Sequence, residues 1–151
     1  MKAEIRNEPL HYELYGYGEA AVQKDYMGTA FRLMDKLWKT VKAEGLKTKG
    51  INIWVYEPNE QVFVGVALEG PPPLHTDLTP KTVDLSQYAY YKHIGPYQLI
   101  RQVGQAVRDE LLANGYEITS PYLEVYGHWT EDESKLETEL IWGLVVASGE
   151  L

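Results

Sequence analysis

The chain has no cysteine, which excludes disulfides, thiolate metal sites and cysteine nucleophiles. Its four histidines, His11, His75, His93 and His128, share no ligand spacing, so no metal site is expected. Long apolar runs are missing as well. Nothing approaches the roughly 18 apolar residues of a membrane span, and the opening MKAEIRNEPLHYEL has no signal-peptide core. A cytoplasmic protein without membrane contact is expected. Basic residues are in short supply: 14 Lys and Arg stand against 22 Asp and Glu, a net charge of −8. Phosphate-backbone binding needs clustered Lys and Arg, so direct nucleic-acid binding is not expected. The sequence carries no Gly-rich phosphate loop, no G-x-S-x-G and no Ser-His-Asp pattern. No cofactor is implied.

What the chain does have is tyrosine and tryptophan, 12 and 4 of them against only 2 Phe in 151 residues. Such rings suit apolar surfaces that must also orient a partner. They concentrate in Tyr122-Leu123-Glu124-Val125-Tyr126. Side chains alternate faces along a strand, so Leu123 and Val125 point one way and Tyr122, Glu124 and Tyr126 the other. Seventy residues earlier, Ile51, Ile53 and Val55 share one face, and Asn52, Trp54 and Tyr56 the other. A solvated sheet face is normally polar, so an aromatic one is covered by protein or occupied by a ligand.

The same offset of 70 relates Gly45 to Gly115, each closing an amphipathic helix. The first helix is expected from Met27 to Ala43, with apolar positions at Met27, Ala30, Phe31, Met34, Leu37, Trp38 and Val41. The second runs from Pro96, in the first helical position, to Asn114. Strand candidates precede each helix (Gly18 to Lys24, Gln87 to Ile94) and continue after it (Gln61 to Glu69, Leu136 to Val146). An extra strand leads each half, around Pro9 to Leu14 and Lys81 to Leu85. The order strand, helix, strand, strand therefore occurs twice, over about 1–70 and 81–151, joined by a proline-rich linker at 70–80. This predicts an α+β fold of duplicated βαββ units with pseudo-two-fold symmetry, an antiparallel sheet, two main helices and a central cleft. The aliphatic strand faces are expected to carry the helices, leaving the aromatic faces to line the cleft.

A carboxylate among rings loses water, which costs several kcal/mol unless its pKa rises or it finds partners. Glu124 is therefore the leading site candidate, for electrostatic recognition of an organic cation or as a general acid or base. Trp54, Tyr56, Tyr122 and Tyr126 are its expected walls, with Tyr91 and Trp142 beside them. In Tyr88-Ala89-Tyr90-Tyr91-Lys92-His93-Ile94-Gly95-Pro96-Tyr97, alternation places Tyr91 with His93. Tyr97 falls near the sheet's rim, so Tyr91 and Tyr97 are the candidate catalytic partners of Glu124. Trp38 is read as core, Trp142 as core or cleft wall, and Trp129 as part of a flap.

The segment from Tyr90 to Val145 resembles the GyrI-like small-molecule-binding domain, the effector-binding domain of certain AraC- and MerR-type regulators. Gly95-Pro96-Tyr97, Gly115, Pro121 and Glu124-Val125-Tyr126 carry the resemblance, with the acidic hairpin and terminal strand behind them. The first half follows through Phe31 to Leu46, with Asp25-Tyr26 where the second half has Gly95-Pro96-Tyr97. The resemblance implies a cleft for lipophilic, often cationic compounds, with Glu124 as its acidic residue and a SOUL-like βαββ duplication. Helix-turn-helix segments precede such domains in regulators, whereas this chain looks like a stand-alone member. Stand-alone relatives imply multidrug-type binding or sequestration, inhibition of DNA gyrase through a protein partner, or hydrolysis of electrophilic compounds by a glutamate and a tyrosine. The expected partner is thus a small hydrophobic or cationic ligand, with a protein partner or homodimer as further options.

Overall fold

The computed structural model describes residues 2–146. Its elements are β1 (Glu4–Arg6), β2 (Leu10–Ala20), α1 (Tyr26–Glu44), β3 (Thr48–Glu57), β4 (Gln61–Leu68), β5 (Thr79–Leu85), β6 (Tyr88–Ile94), α2 (Ile100–Ala113), β7 (Ile118–Tyr126) and β8 (Glu137–Leu144). All the strands join one antiparallel sheet in the order β1-β6-β8-β7-β3-β4-β2-β5. The fold is α+β, as the alternating patterns required.

Local chemistry sets the helix ends. The Asp25 side chain accepts the Gly28 N–H at 3.0 Å and caps α1. Gly45 closes it in the left-handed region at φ 65°. The start of α2 differs from the sequence expectation. Pro96 has ψ 145° and stays extended, and a 3-10 turn over Tyr97–Leu99 leads into the helix. Gly95 supplies the sharp bend with φ 142°, a conformation side chains disfavour, and donates its N–H to Leu136 O at 2.8 Å. That bond ties the strand-to-helix corner to the entry of β8.

The two halves occupy mirrored places in the sheet. β7 and β3 meet at the centre, β8 and β4 flank them, then β6 and β2, with β1 and β5 at the edges. The β3–β7 register pairs Trp54 with Glu124, Tyr56 with Tyr122 and Asn52 with Tyr126. Trp54 and Glu124, which correspond by the 70-residue offset, lie directly opposite one another. The pseudo-two-fold axis therefore passes between them. The leading strands are exchanged: β1 pairs with β6 of the second half, and β5 with β2 of the first. The expected strands Pro9–Leu14 and Gly18–Lys24 are instead one continuous β2 that ends at Ala20, because residues 22–24 form a 3-10 turn. The first half's leading strand is β1, only three residues long.

The helices lie on the opposite face from the one expected. The aliphatic residues Ile53, Val55, Leu123 and Val125 pack with Leu14, Val83, Leu85, Tyr88 and Ile141, all from strands. Only Ser86 and Gln87 separate β5 from β6, yet these strands stand far apart in the sheet order. A connection this short brings the two ends of the sheet together, and Leu85 Cδ2 lies 3.2 Å from where a side chain on Gly143 of β8 would begin. The sheet curls and buries its aliphatic face against itself, so the helices are left to the other face. Beneath α1 lie Val62, Val64, Val66 and Trp54; beneath α2 lie Ala89, Leu140, Trp142 and Leu144.

Candidate functional site

The two helices do not meet over the centre of the sheet. Between them, above β3 and β7, opens a cleft of about 1360 Å³. Its floor is the axis region itself: Asn52, Trp54 and Tyr56 from β3, and Tyr122, Glu124 and Tyr126 from β7, with Trp142 behind. The aromatic face floors the cleft although the helices cover that same face, because they stand apart over its centre.

Glu124 is 9% exposed. Its Oε2 accepts the Tyr122 hydroxyl at 2.8 Å, and its Oε1 accepts those of Tyr126 at 2.7 Å and Tyr56 at 3.3 Å. Burial pushes the carboxyl pKa above its ordinary value, and the three phenol donors pull it back by stabilising the charged form. The phenols respond in the opposite sense. Burial, then the neighbouring carboxylate, raises Tyr56, Tyr122 and Tyr126, which stay protonated donors across the neutral range. The result is one carboxyl group solvated by phenols in place of water.

The rings around it form a connected wall. Tyr56 stacks on Tyr122 at 5.7 Å, Trp54 lies 4.7 Å from Tyr126, and Tyr122 lies 5.2 Å from Trp142. Phe31 and Tyr97 meet Trp54 and Tyr126 edge-on at 5.4 and 5.5 Å, closing the wall from α1 and from the turn that leads into α2. Trp54 Nε1 and Asn52 Oδ1 are buried without a hydrogen-bond partner.

Of the two candidate catalytic partners, Tyr97 lines the cleft but makes no hydrogen bond to Glu124; Tyr91 is not in the cleft at all. It shares the correct sheet face with His93, but on β6 that face lies beneath α2, where Tyr91 packs with the apolar cluster under that helix. His93 is buried, its Nε2 3.0 Å from Pro96 O. The hydroxyls that reach Glu124 are those of Tyr56, Tyr122 and Tyr126. No group of three or more metal-ligating side chains occurs among the described residues.

Several wall residues were assigned elsewhere by the sequence pattern. Ala30, Leu33, Leu37 and Val41 form the buried stripe of α1, while Met27, Phe31, Met34 and Trp38 lie one step around and line the cleft. Trp38 is therefore cleft wall as well as half-buried packing. The available signal was Leu33, an apolar residue outside the seven-position stripe: it is buried, and it shifts the covered face one step away from Phe31, Met34 and Trp38. Arg101, Gln105 and Arg108 of α2 line the opposite side, a polar stripe the sequence gave no reason to single out. Trp129 is 70% exposed at the cleft margin, next to Gly127 and His128.

A strongly curled antiparallel sheet with two helices flanking a ring-lined cleft is the architecture of this α+β domain. The chain belongs to the family of GyrI-like small molecule binding domains, whose family model matches residues 31–145. Among solved structures, the C-terminal domain of EcmrR is similar with a TM-score of 0.75 at 16% identity, over 96% of this chain and 99% of that one. The structure of SAV2435 bound to tetraphenylphosphonium gives a TM-score of 0.65 at 16% identity, over 96% of this chain and 94% of that one. EcmrR within an EcmrR–DNA complex gives 0.71 at 14% identity, over 96% of this chain but 57% of that one. No curated protein sequence matches the chain. No helix among the described residues is long and apolar enough to cross a membrane.

Proposed function

We propose that this domain binds a small lipophilic aromatic molecule in the cleft, with Trp54, Tyr56, Tyr122, Tyr126 and Trp142 as its walls and Glu124 as its polar anchor. The observation that carries this reading is a nearly buried carboxylate on the floor of an open 1360 Å³ cleft, solvated only by phenol hydroxyls. The hydrogen-bond donors to that carboxylate are neutral phenols, so an organic cation lying over the rings adds the opposite charge they do not supply. Each cation–π contact contributes about 0.5–2 kcal/mol, and the carboxylate adds Coulomb attraction in a poorly solvated place. The tetraphenylphosphonium held by SAV2435 is a compound of this kind and supports the reading. The net charge of −8 favours a cationic ligand over a nucleic acid.

The test is a comparison of tetraphenylphosphonium with neutral triphenylphosphine oxide, followed by quenching of tryptophan fluorescence. Glu124→Gln is expected to weaken the cation about tenfold or more and the neutral compound about twofold or less, the difference one desolvated charge pair makes. Equal losses for both would remove the ionic role of Glu124, and no binding of either would remove the cleft as a ligand site.

A further inference from the structure

The two sides of the cleft are chemically different at equivalent positions. The offset that carries Trp54 onto Glu124 also carries Phe31 onto Arg101 and Trp38 onto Arg108. The helices obey it: the buried residues Ala30, Leu33, Leu37 and Val41 correspond to the buried Ile100, Val103, Val107 and Leu111. Thus Phe31 and Trp38 on one wall face Arg101 and Arg108 on the other, all four lining the same space.

The charges along this cleft are not equally available. Each acidic group is engaged: Asp25 caps α1, Glu57 pairs with Lys81, and Glu124 accepts three phenols. Arg101 and Arg108 have no hydrogen bond or ion pair among the described residues, and both are exposed along the cleft side of α2. Gln105 stands between them, and Gly104 leaves open the space above the Tyr122 hydroxyl. Seven residues on a helix span about 10 Å, so the two guanidiniums bracket a strip as long as a two-ring aromatic compound. Guanidinium groups hold carboxylate, phosphate and similar oxyanions with paired, charge-assisted hydrogen bonds.

Resting on the reading of the cleft as an aromatic site, we propose that the Arg101–Gln105–Arg108 face of α2 is a subsite for an acidic group. The ligand is then an aromatic compound bearing a carboxylate, sulfonate or phosphate, with its rings against Phe31 and Trp38 and its acid on α2. Its body reaches the floor, where a basic or hydrogen-bond-donating group meets Glu124.

Two dyes with one aromatic body separate these ideas: 1-anilinonaphthalene-8-sulfonate carries the acid, and N-phenyl-1-naphthylamine lacks it. Both report binding by fluorescence. The sulfonate is expected to bind the wild-type domain at least about fivefold more tightly, with an affinity that falls as salt is raised. The double variant Arg101→Gln/Arg108→Gln is expected to weaken the sulfonate about tenfold and to leave the neutral dye within twofold. Arg101→Lys/Arg108→Lys should recover part of the loss, and because both positions are exposed the circular dichroism spectrum should not change. Sulfonate binding that is no tighter than that of the neutral dye, or losses shared equally by both dyes in the glutamine variant, would overturn the acidic subsite and leave the aromatic cleft standing. Failure of both dyes to bind the wild type would overturn the cleft reading and this one with it.

Discussion

At the scale of single residues, Glu124 adds a pH-dependent contribution to stability. Its folded pKa lies above the ordinary value of 4.5 because burial outweighs the phenol donors. Between the unfolded and folded values the native state holds a proton that the unfolded chain has released, so stability falls as pH rises through that window and is level beyond it. Glu124→Gln has no such proton. Its stability relative to wild type should therefore increase from pH 4.5 upward until the raised pKa is passed, a trend that urea unfolding across that range would reveal. Tyr122→Phe removes the donor to Oε2 and leaves that oxygen buried and unpaired, a cost of about 1–3 kcal/mol at neutral pH. The same change should push the Glu124 carboxyl pKa further upward, which a carbon-13 carboxyl titration would follow. A downward move would show that this phenol is not what stabilises the charge.

At the scale of elements, α1 does two jobs with adjacent stripes. Leu37 is fully buried, so Leu37→Ala should cost about 2–5 kcal/mol. Phe31 is 49% exposed at the cleft wall, so Phe31→Ala should cost little stability but weaken tetraphenylphosphonium several-fold, as thermal melts and ligand titrations would show together. In β2, a side chain on Gly16 would begin 1.9 Å from Val64 O of the neighbouring strand. Gly16→Ala should therefore destabilise by about 2–4 kcal/mol through backbone displacement, lowering the urea midpoint. The elements also show where sequence reading ends. Alternation in Tyr122–Tyr126 and the matched glycines Gly45 and Gly115 picked out the face that floors the cleft and the repeated order of elements, because strand and helix periods are local properties. Which face the helices cover was not local: it follows from the curl of the sheet, set by the two-residue link between β5 and β6. Tyr91 was misplaced for the same reason, since periodicity gives its face but not what lies above it. A strand as short as β1 has no period to read.

At the scale of the molecule, the exchanged leading strands tie the two halves of the sheet together. β5 completes the edge of the first half, although the proline-rich linker places it with the second in sequence. Chains of residues 1–70 and 71–151 expressed apart should each lack a cooperative unfolding transition, and mixing them should restore near-ultraviolet circular dichroism. That outcome would make the linker a connection and not a boundary between independently folding parts.

Trp54 opposite Glu124 has a consequence for any bound compound. In a perfectly duplicated pocket a guest could dock head-first or tail-first with equal ease, and half the molecules would lie each way. With an indole on one side of the axis and an acid on the other, turning the guest end over end exchanges a favourable neighbour for a poor one. The frame is nearly even-handed, but a lopsided guest is expected to take one pose and to give one set of bound resonances where a symmetrical pocket would give two.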